Sequence, residues 1–225
     1  ESSAKKIMID HHQEPDDYAD MMFSNPSIGS TCEFVFQIIE ELGLIHYINK
    51  DIASSLYTGI VTDTGSFRFP SVTAATHRAV ATLINAGANH SQIHEKIKDN
   101  ARPDRLKLLG VALNNMVCIT KYKTAYITLS QEELDACNYQ KGDTEGFVNY
   151  GLSVAGIEMA VLMTESKKEN MIKISFRSKG DLAVNQFAKI YFEGGGHINA
   201  AGGKSNKSLQ ETEAYFLKSL ATFLS

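Results

Sequence analysis

Asp10-His11-His12 is the first stretch whose residue types could do chemistry. It follows Ile7-Met8-Ile9, an apolar run that reads as a buried strand, so a carboxylate and two imidazoles emerge where that strand ends. Strand ends of open α/β sheets are where ligands bind. Adjacent side chains on extended backbone point to opposite sides, which lets one histidine take a metal while the other faces a substrate. A His-His pair in a loop is also a frequent accident of composition, so the remaining motifs have to decide between the two readings.

Asp63 sits in Thr62-Asp63-Thr64-Gly65, where an apolar helical pattern stops. An Asp between two threonines and before a Gly makes a turn or cap; it is equally a hard oxygen ligand for a divalent metal, with Thr62 and Thr64 orienting it. Gly29-Ser30-Thr31-Cys32-Glu33 precedes Phe34, Ile38, Ile39 and Leu42 at helical spacing, so Ser30 or Thr31 is the expected N-cap. Phe67-Arg68-Phe69-Pro70 places an Arg between aromatics, either to stack a base or to clamp a loop. The acidic turn Gln13-Glu14-Pro15-Asp16-Asp17 reads as solvated rather than as a ligand set. Gly194-Gly195-Gly196-His197, followed by Ala200-Ala201-Gly202-Gly203, is a poor sequence for ordinary structure, because glycines cost backbone entropy. Backbone that approaches a ligand closely, or an anion nest of successive N–H groups with His197 at its edge, would require it.

Several elements must position these groups. Helices are expected over Ile52 to Val61, Val72 to Ala86 (packing through Ala75, Ala79, Leu83 and Ala86), Ser91 to Lys98 with Ser91 as cap, and Asp104 to Asn115 after Pro103. From Met116 the pattern changes to strands: Val117 to Ile119, Ala125 to Leu129, Ile157 to Met163 and Met171 to Ser178. Helices follow over Val184 to Phe192 and Leu209 to Leu224. A domain boundary is therefore expected at 115–116, with a helix-rich α/β domain over 1–115 and a smaller α+β domain over 116–225. The second domain is expected to hold a mixed sheet of about four or five strands.

Composition narrows the function classes. The 225 residues are 43% hydrophobic and 21% charged, which is ordinary for a globular chain and excludes disordered and fibrous classes. No apolar run is long enough to span a membrane. Cys32, Cys118 and Cys137 form no CxxC, which fits a reducing, cytoplasmic setting. A net charge of -4 argues against adhesion to long nucleic acid and leaves room for short phosphorylated ligands.

Taken in order, Asp10-His11-His12, Gly29 to Glu33, Gly59 to Phe67 and Gly194-Gly195-Gly196-His197 resemble the motifs of DHH-family phosphoesterases with a DHH-associated C-terminal domain, in particular the oligoribonuclease and pAp-phosphatase (nanoRNase) branch. The resemblance covers the whole chain, and Gly-Gly-Gly-His is its most discriminating part. It implies a hydrolase that uses two divalent cations, usually manganese, to cleave short oligoribonucleotides and the 3′-phosphate of pAp. It further implies His11 and Asp63 as metal ligands, Asp10 orienting His11, and His12 contacting the scissile phosphate. Arg177, His197 and the glycines Gly194, Gly195 and Gly196 would hold the nucleotide, with Arg68 and Phe67 as further candidates. Short single-stranded RNA or pAp is the expected partner, with no membrane, and a homodimer is the candidate assembly. The family's upstream His-x-x-x-Asp-x-Asp motif and a further Asp are expected before residue 1. On that reading residues 1–115 are the remnant of a parallel-sheet DHH domain, incomplete and inactive alone. The alternatives are a cyclic or linear dinucleotide phosphodiesterase, a RecJ-like single-strand exonuclease, and a non-catalytic nucleotide-binding module.

Overall fold

The computed structural model describes residues 3–12 and 15–224; Gln13 and Glu14 of the expected acidic turn lie outside the described residues. The chain divides into two compact units, Glu1–Asn100 and Ala101–Ser225.

In the first unit β1 (Ile7–Asp10) and β2 (Met21–Ser24) pair in parallel, Ile7 opposite Met21 and Asp10 opposite Ser24. β1 is not the buried strand its composition suggests: Met8 is buried, but Ile7 is 60% exposed. Four helices follow, α1 (Thr31–Glu41), α2 (Lys50–Asp63), α3 (Ala74–Asn85) and α4 (His90–Lys98). Their starts are written in side chains that satisfy free backbone amides. The Ser30 hydroxyl accepts from Glu33 N at 2.9 Å, Asn49 caps α2, and Thr73 and Thr76 form a reciprocal capping box on α3. The cap of α4 is Asn89 and not Ser91: the Asn89 side chain accepts from Gln92 N, so the helix begins one residue earlier, at His90. Phe36, Leu56, Tyr57, Ile60, Ala79 and Leu83 share one buried core. Gly59 lets α1 approach α2, since a Cβ there would stand 2.1 Å from Cys32 Sγ.

The second unit begins with α5 (Pro103–Asn114), whose first residue is the N1 proline. Leu106 and Leu113 of the expected apolar positions are exposed, and Leu108 and Ala112 are the buried pair. Those two pack with Ile127, Leu129 and Leu162, so α5 belongs to the second unit's core and the units part some fifteen residues before 115–116. The sheet contains β3 (Val117–Ile119), β4 (Thr124–Leu129), β5 (Met159–Ser166), β6 (Met171–Ser178), β7 (Gly195–His197) and β8 (Ala200–Ser205). Its order is β3-β4-β5-β6-β8-β7, six strands rather than four or five, because the glycine-rich segment and its neighbour both join it. Pairing is antiparallel except between β4 and β5. That crossover runs through α6 (Gln131–Ala136) and α7 (Val148–Ser153). Met159 to Met163 are all buried, as expected of a central strand covered on both faces. Met159, Val161 and Met163 face α8 (Val184–Tyr191) and α9 (Leu209–Phe223), whereas Ala160 and Leu162 face α5 to α7. Phe176, Phe187 and Phe216 are fully buried on the first of these faces, each contributing roughly 1.5–3 kcal/mol through burial.

Candidate active site

Asp10 ends β1, and the chain bends beyond it, so His11 and His12 do not take the opposite sides of an extended strand. Their rings meet edge to face with centroids 4.6 Å apart. Each ring is then held by a different acceptor. His12 Nδ1 lies 2.6 Å from Asp10 Oδ1. This hydrogen bond is the main reason the Asp10 carboxyl sits below the ordinary carboxylate range, against a smaller opposing effect of burial. Asp10 therefore orients His12, in the manner of a carboxylate fixing a reactive imidazole, and not His11 as the resemblance implies. His12 is the more open of the pair, with its side chain 58% exposed.

His11 is fixed by backbone. Its Nδ1 lies 3.2 Å from the carbonyl oxygen of Ile28, which leads into the Gly29-Ser30 entry to α1. A carbonyl only accepts, so Nδ1 carries the proton, and in the neutral ring the lone pair sits on Nε2, the atom through which such an imidazole binds a metal. That nitrogen is 3.8 Å from Asp63 Oδ2 on the last residue of α2. Two donors at roughly 2.1 Å from one first-row divalent cation stand about 3–4.2 Å apart, so the separation fits a shared ion. The carbonyl behind Nδ1 is the outer contact that metal-bound histidines ordinarily have. Imidazole and carboxylate suit manganese, zinc or magnesium-like chemistry, and the pair fits one edge of such a site. Among the described residues no group of three or more His, Cys, Asp or Glu converges to complete it.

Thr62 and Thr64 do not orient Asp63. Both hydroxyls turn back onto helix carbonyls, Thr62 on Thr58 and Gly59 and Thr64 on Ile60, which is what a hydroxyl does at the end of a helix. Thr64 also accepts from Phe67 N, tightening a turn in which Gly65, Ser66 and Phe67 all have positive φ. Arg68 clamps that turn, donating from Nε to Gly65 O at 2.8 Å, while Phe67 packs its ring on Tyr57 and His77. Burial, and then the charge of Asp63, push the Cys32 thiol upward.

In the second unit Arg177 on β6 and His197 on β7 both stand directly opposite Ala200 on β8. Residues directly opposite one another share a face, so Arg177, Ala200 and His197 form one row across three strands. The two functional side chains are two strand spacings apart, roughly 10 Å, with only a methyl between them. Arg177 donates from Nη1 to Phe176 O, and burial disfavours its charge. Among the described residues no carboxylate pairs with it, so an incoming anion would meet an uncompensated guanidinium.

Gly195 and Gly196 lie in β7, with Gly196 departing from ordinary strand backbone at a φ of 136°. A Cβ at Gly194 would stand 2.0 Å from Gly202 O, and one at Gly196 would stand 2.6 Å from Ala200 O. The hairpin's own backbone demands these two, and only Gly195 opens onto empty space. The carbonyl of Ile28 escaped sequence reading, because a backbone acceptor leaves no side-chain signal.

The chain belongs to the DHH family: its N-terminal domain matches residues 1–60 and a DHHA1 domain matches residues 121–225. It is 30% identical over 203 residues to the bifunctional oligoribonuclease and PAP phosphatase NrnA of Bacillus subtilis (strain 168), covering 89% of this chain and 63% of that protein. The NrnA of Thermus thermophilus is 29% identical over 209 residues, 93% of this chain and 61% of that protein. This chain thus spans 61–63% of the length of these two curated relatives. The crystal structure of an exopolyphosphatase-related protein from Bacteroides fragilis superposes with a TM-score of 0.94 at 37% identity, over 99% of this chain and 65% of that one. Among the described residues no helix is long and apolar enough to cross a membrane.

Proposed function

We propose that this protein is a metal-dependent phosphoesterase that shortens very short oligoribonucleotides and removes the 3′-phosphate of pAp. The observation that carries the reading is the His11–Asp63 pair, 3.8 Å apart, with the opposite nitrogen of His11 committed to the Ile28 carbonyl. The names of the Bacillus subtilis and Thermus thermophilus relatives support the substrate class.

His11 Nε2 and Asp63 Oδ2 would hold a divalent cation, with manganese the expected metal. Such an ion lowers the pKa of bound water and neutralises charge on phosphate oxygens. Asp10 keeps His12 in one tautomer, with the proton on Nδ1, so that Nε2 meets a phosphate oxygen or exchanges a proton there. Arg177 supplies a partly desolvated positive charge for an anionic group of the nucleotide. His197, in the same row, supplies a further donor for the nucleotide. The methyl of Ala200 leaves the row between them open for one flat or tetrahedral group.

The test is hydrolysis by the natural protein, stripped of metal and then given manganese, of pAp, a linear dinucleotide, a cyclic dinucleotide and a long single strand. Manganese-dependent turnover of pAp and the linear dinucleotide, well above the other two, is expected. Preference for the cyclic dinucleotide would replace the substrate assignment, equal rates on long strands would favour an exonuclease, and tight binding without turnover would favour a non-catalytic module.

A further inference from the structure

His197 ends β7 and is followed by a two-residue turn, Ile198-Asn199, before Ala200 begins β8. Two-residue hairpin loops favour primed turns with positive φ, because those match the twist of the strands they join. Neither Ile198 nor Asn199 has positive φ, so this turn lacks the conformation that would hold it by itself. It is held from outside. Val184 N donates to Ile198 O at 2.9 Å and Ser178 N donates to Asn199 O at 3.1 Å. The Asn199 side-chain amide adds donations to Ser178 Oγ and Gly180 O, both at 2.8 Å, with Leu182 O at 3.5 Å. Ser178 Oγ gives its own hydrogen to Leu182 O at 2.6 Å, so every oxygen around the amide acts as an acceptor. Ser178 follows Arg177 directly and Asn199 lies two residues beyond His197. One side chain thus ties together the two segments that carry the proposed nucleotide contacts.

We propose that Asn199 is a positioning residue for the reaction: its amide clamps the β7–β8 turn to residues 178–182 and so fixes His197 relative to Arg177. This rests on the nucleotide-binding reading of His197 and Arg177 given above. The backbone bonds fix the carbonyls of Ile198 and Asn199, and the Asn199 amide adds the ties to Ser178 Oγ and the 180–182 carbonyls.

The decisive change is Asn199→Asp, which keeps shape and replaces the donor with a carboxylate facing three acceptor oxygens. Asn199→Ser, which retains a hydroxyl donor, should restore part of the function, and it carries the test if the Asp variant fails to fold by circular dichroism. The natural protein, loaded with manganese, is assayed on pAp, and the ring resonances of His197 are recorded in the ligand-free protein. Asn199→Asp should raise KM about tenfold while kcat changes by no more than about threefold, as expected for lost ground-state binding. The same change made in a His197→Ala background should add less than about twofold, because it acts through that ring. The His197 ring signals should move in Asn199→Asp and return toward the native position in Asn199→Ser. Unmoved ring signals, or a KM increase retained in full in the His197→Ala background, would overturn the proposal. If His197→Ala itself leaves KM unchanged, the nucleotide-site reading fails instead, and the ring signals alone decide whether Asn199 positions His197.

Discussion

Replacing each residue of Gly194-Gly195-Gly196 by alanine separates what the hairpin requires of itself from what a ligand would require. At Gly194 the new Cβ would stand 2.0 Å from Gly202 O and 2.8 Å from Gly203 Cα. The first distance is about 1.4 Å inside the 3.4 Å edge of ordinary contact, and both partners are backbone, so no rotamer change relieves it. The strands must part, at a cost of roughly 3 kcal/mol. That corresponds to a fall in melting temperature of roughly 6–12 °C for a chain of this size. Gly196→Ala should cost a similar amount, since it combines a contact of 2.6 Å to Ala200 O with a φ of 136° that suits only glycine. Gly195→Ala meets nothing within 4 Å and should change stability by less than about 0.5 kcal/mol. Thermal melts followed by circular dichroism on the three variants are the assay, with KM for pAp measured on Gly195→Ala. A raised KM at unchanged stability would mean that the nucleotide passes close to Gly195. The reasoning about Gly194 is refuted if its alanine variant melts within about 1 °C of the native protein.

Asp10→Asn should reduce kcat by about tenfold or more while leaving manganese affinity within about twofold, because Asp10 holds His12 and not the metal-facing ring; a large loss of metal in a calorimetric titration would contradict this. Glu33 is buried in α1, with Oε1 accepting from Thr76 Oγ1 at 2.9 Å and Oε2 without a hydrogen-bond partner among the described residues, and burial pushes its carboxyl upward. An acid raised in the folded state stabilises below its unfolded pKa and loses that contribution as pH rises through its folded value. Glu33→Gln should therefore gain stability relative to the native protein as pH increases from acid to neutral, read from urea midpoints at each pH; a constant difference would refute it. Tyr126 donates from its hydroxyl to Glu213 Oε1 at 2.7 Å, and burial followed by that carboxylate pushes its phenol up to about 12. Its contribution is present below the unfolded value near 10 and is lost between there and about 12. In an ultraviolet titration one phenol, absent from Tyr126→Phe, should ionise later than the ordinary range.

The two-part organisation, the chemistry-bearing tripeptide and most helices could be read directly from residue types, because apolar spacing and capping side chains act locally. Ser30 and Pro103 mark helix starts by their own chemistry, and the structure uses each of them so. What the sequence hid is tertiary. β2 was hidden because Met21-Met22-Phe23 lacks alternation, and its strands pair only with each other among the described residues. α5 changes units because Leu108 and Ala112, not the more conspicuous Leu106 and Leu113, meet the sheet. The glycine run looked like a ligand cradle because glycine's low cost of close approach is the same whether a ligand or the chain's own carbonyl approaches. Asp10 reaches His12 and not His11 because a bend after the strand, invisible in the tripeptide itself, turns His12 back and hands His11 to the Ile28 carbonyl.

On the proposed reading His11 Nε2 and Asp63 Oδ2 would bind one and the same divalent cation. A double-mutant cycle on manganese affinity, read by titration calorimetry of the natural protein with His11→Ala, Asp63→Asn and the pair together, tests it directly. Shared coordination predicts that each single change weakens manganese binding by about tenfold or more, and that the double variant is little worse than either. Losses that simply add, or a single variant that binds manganese as the native protein does, would contradict it.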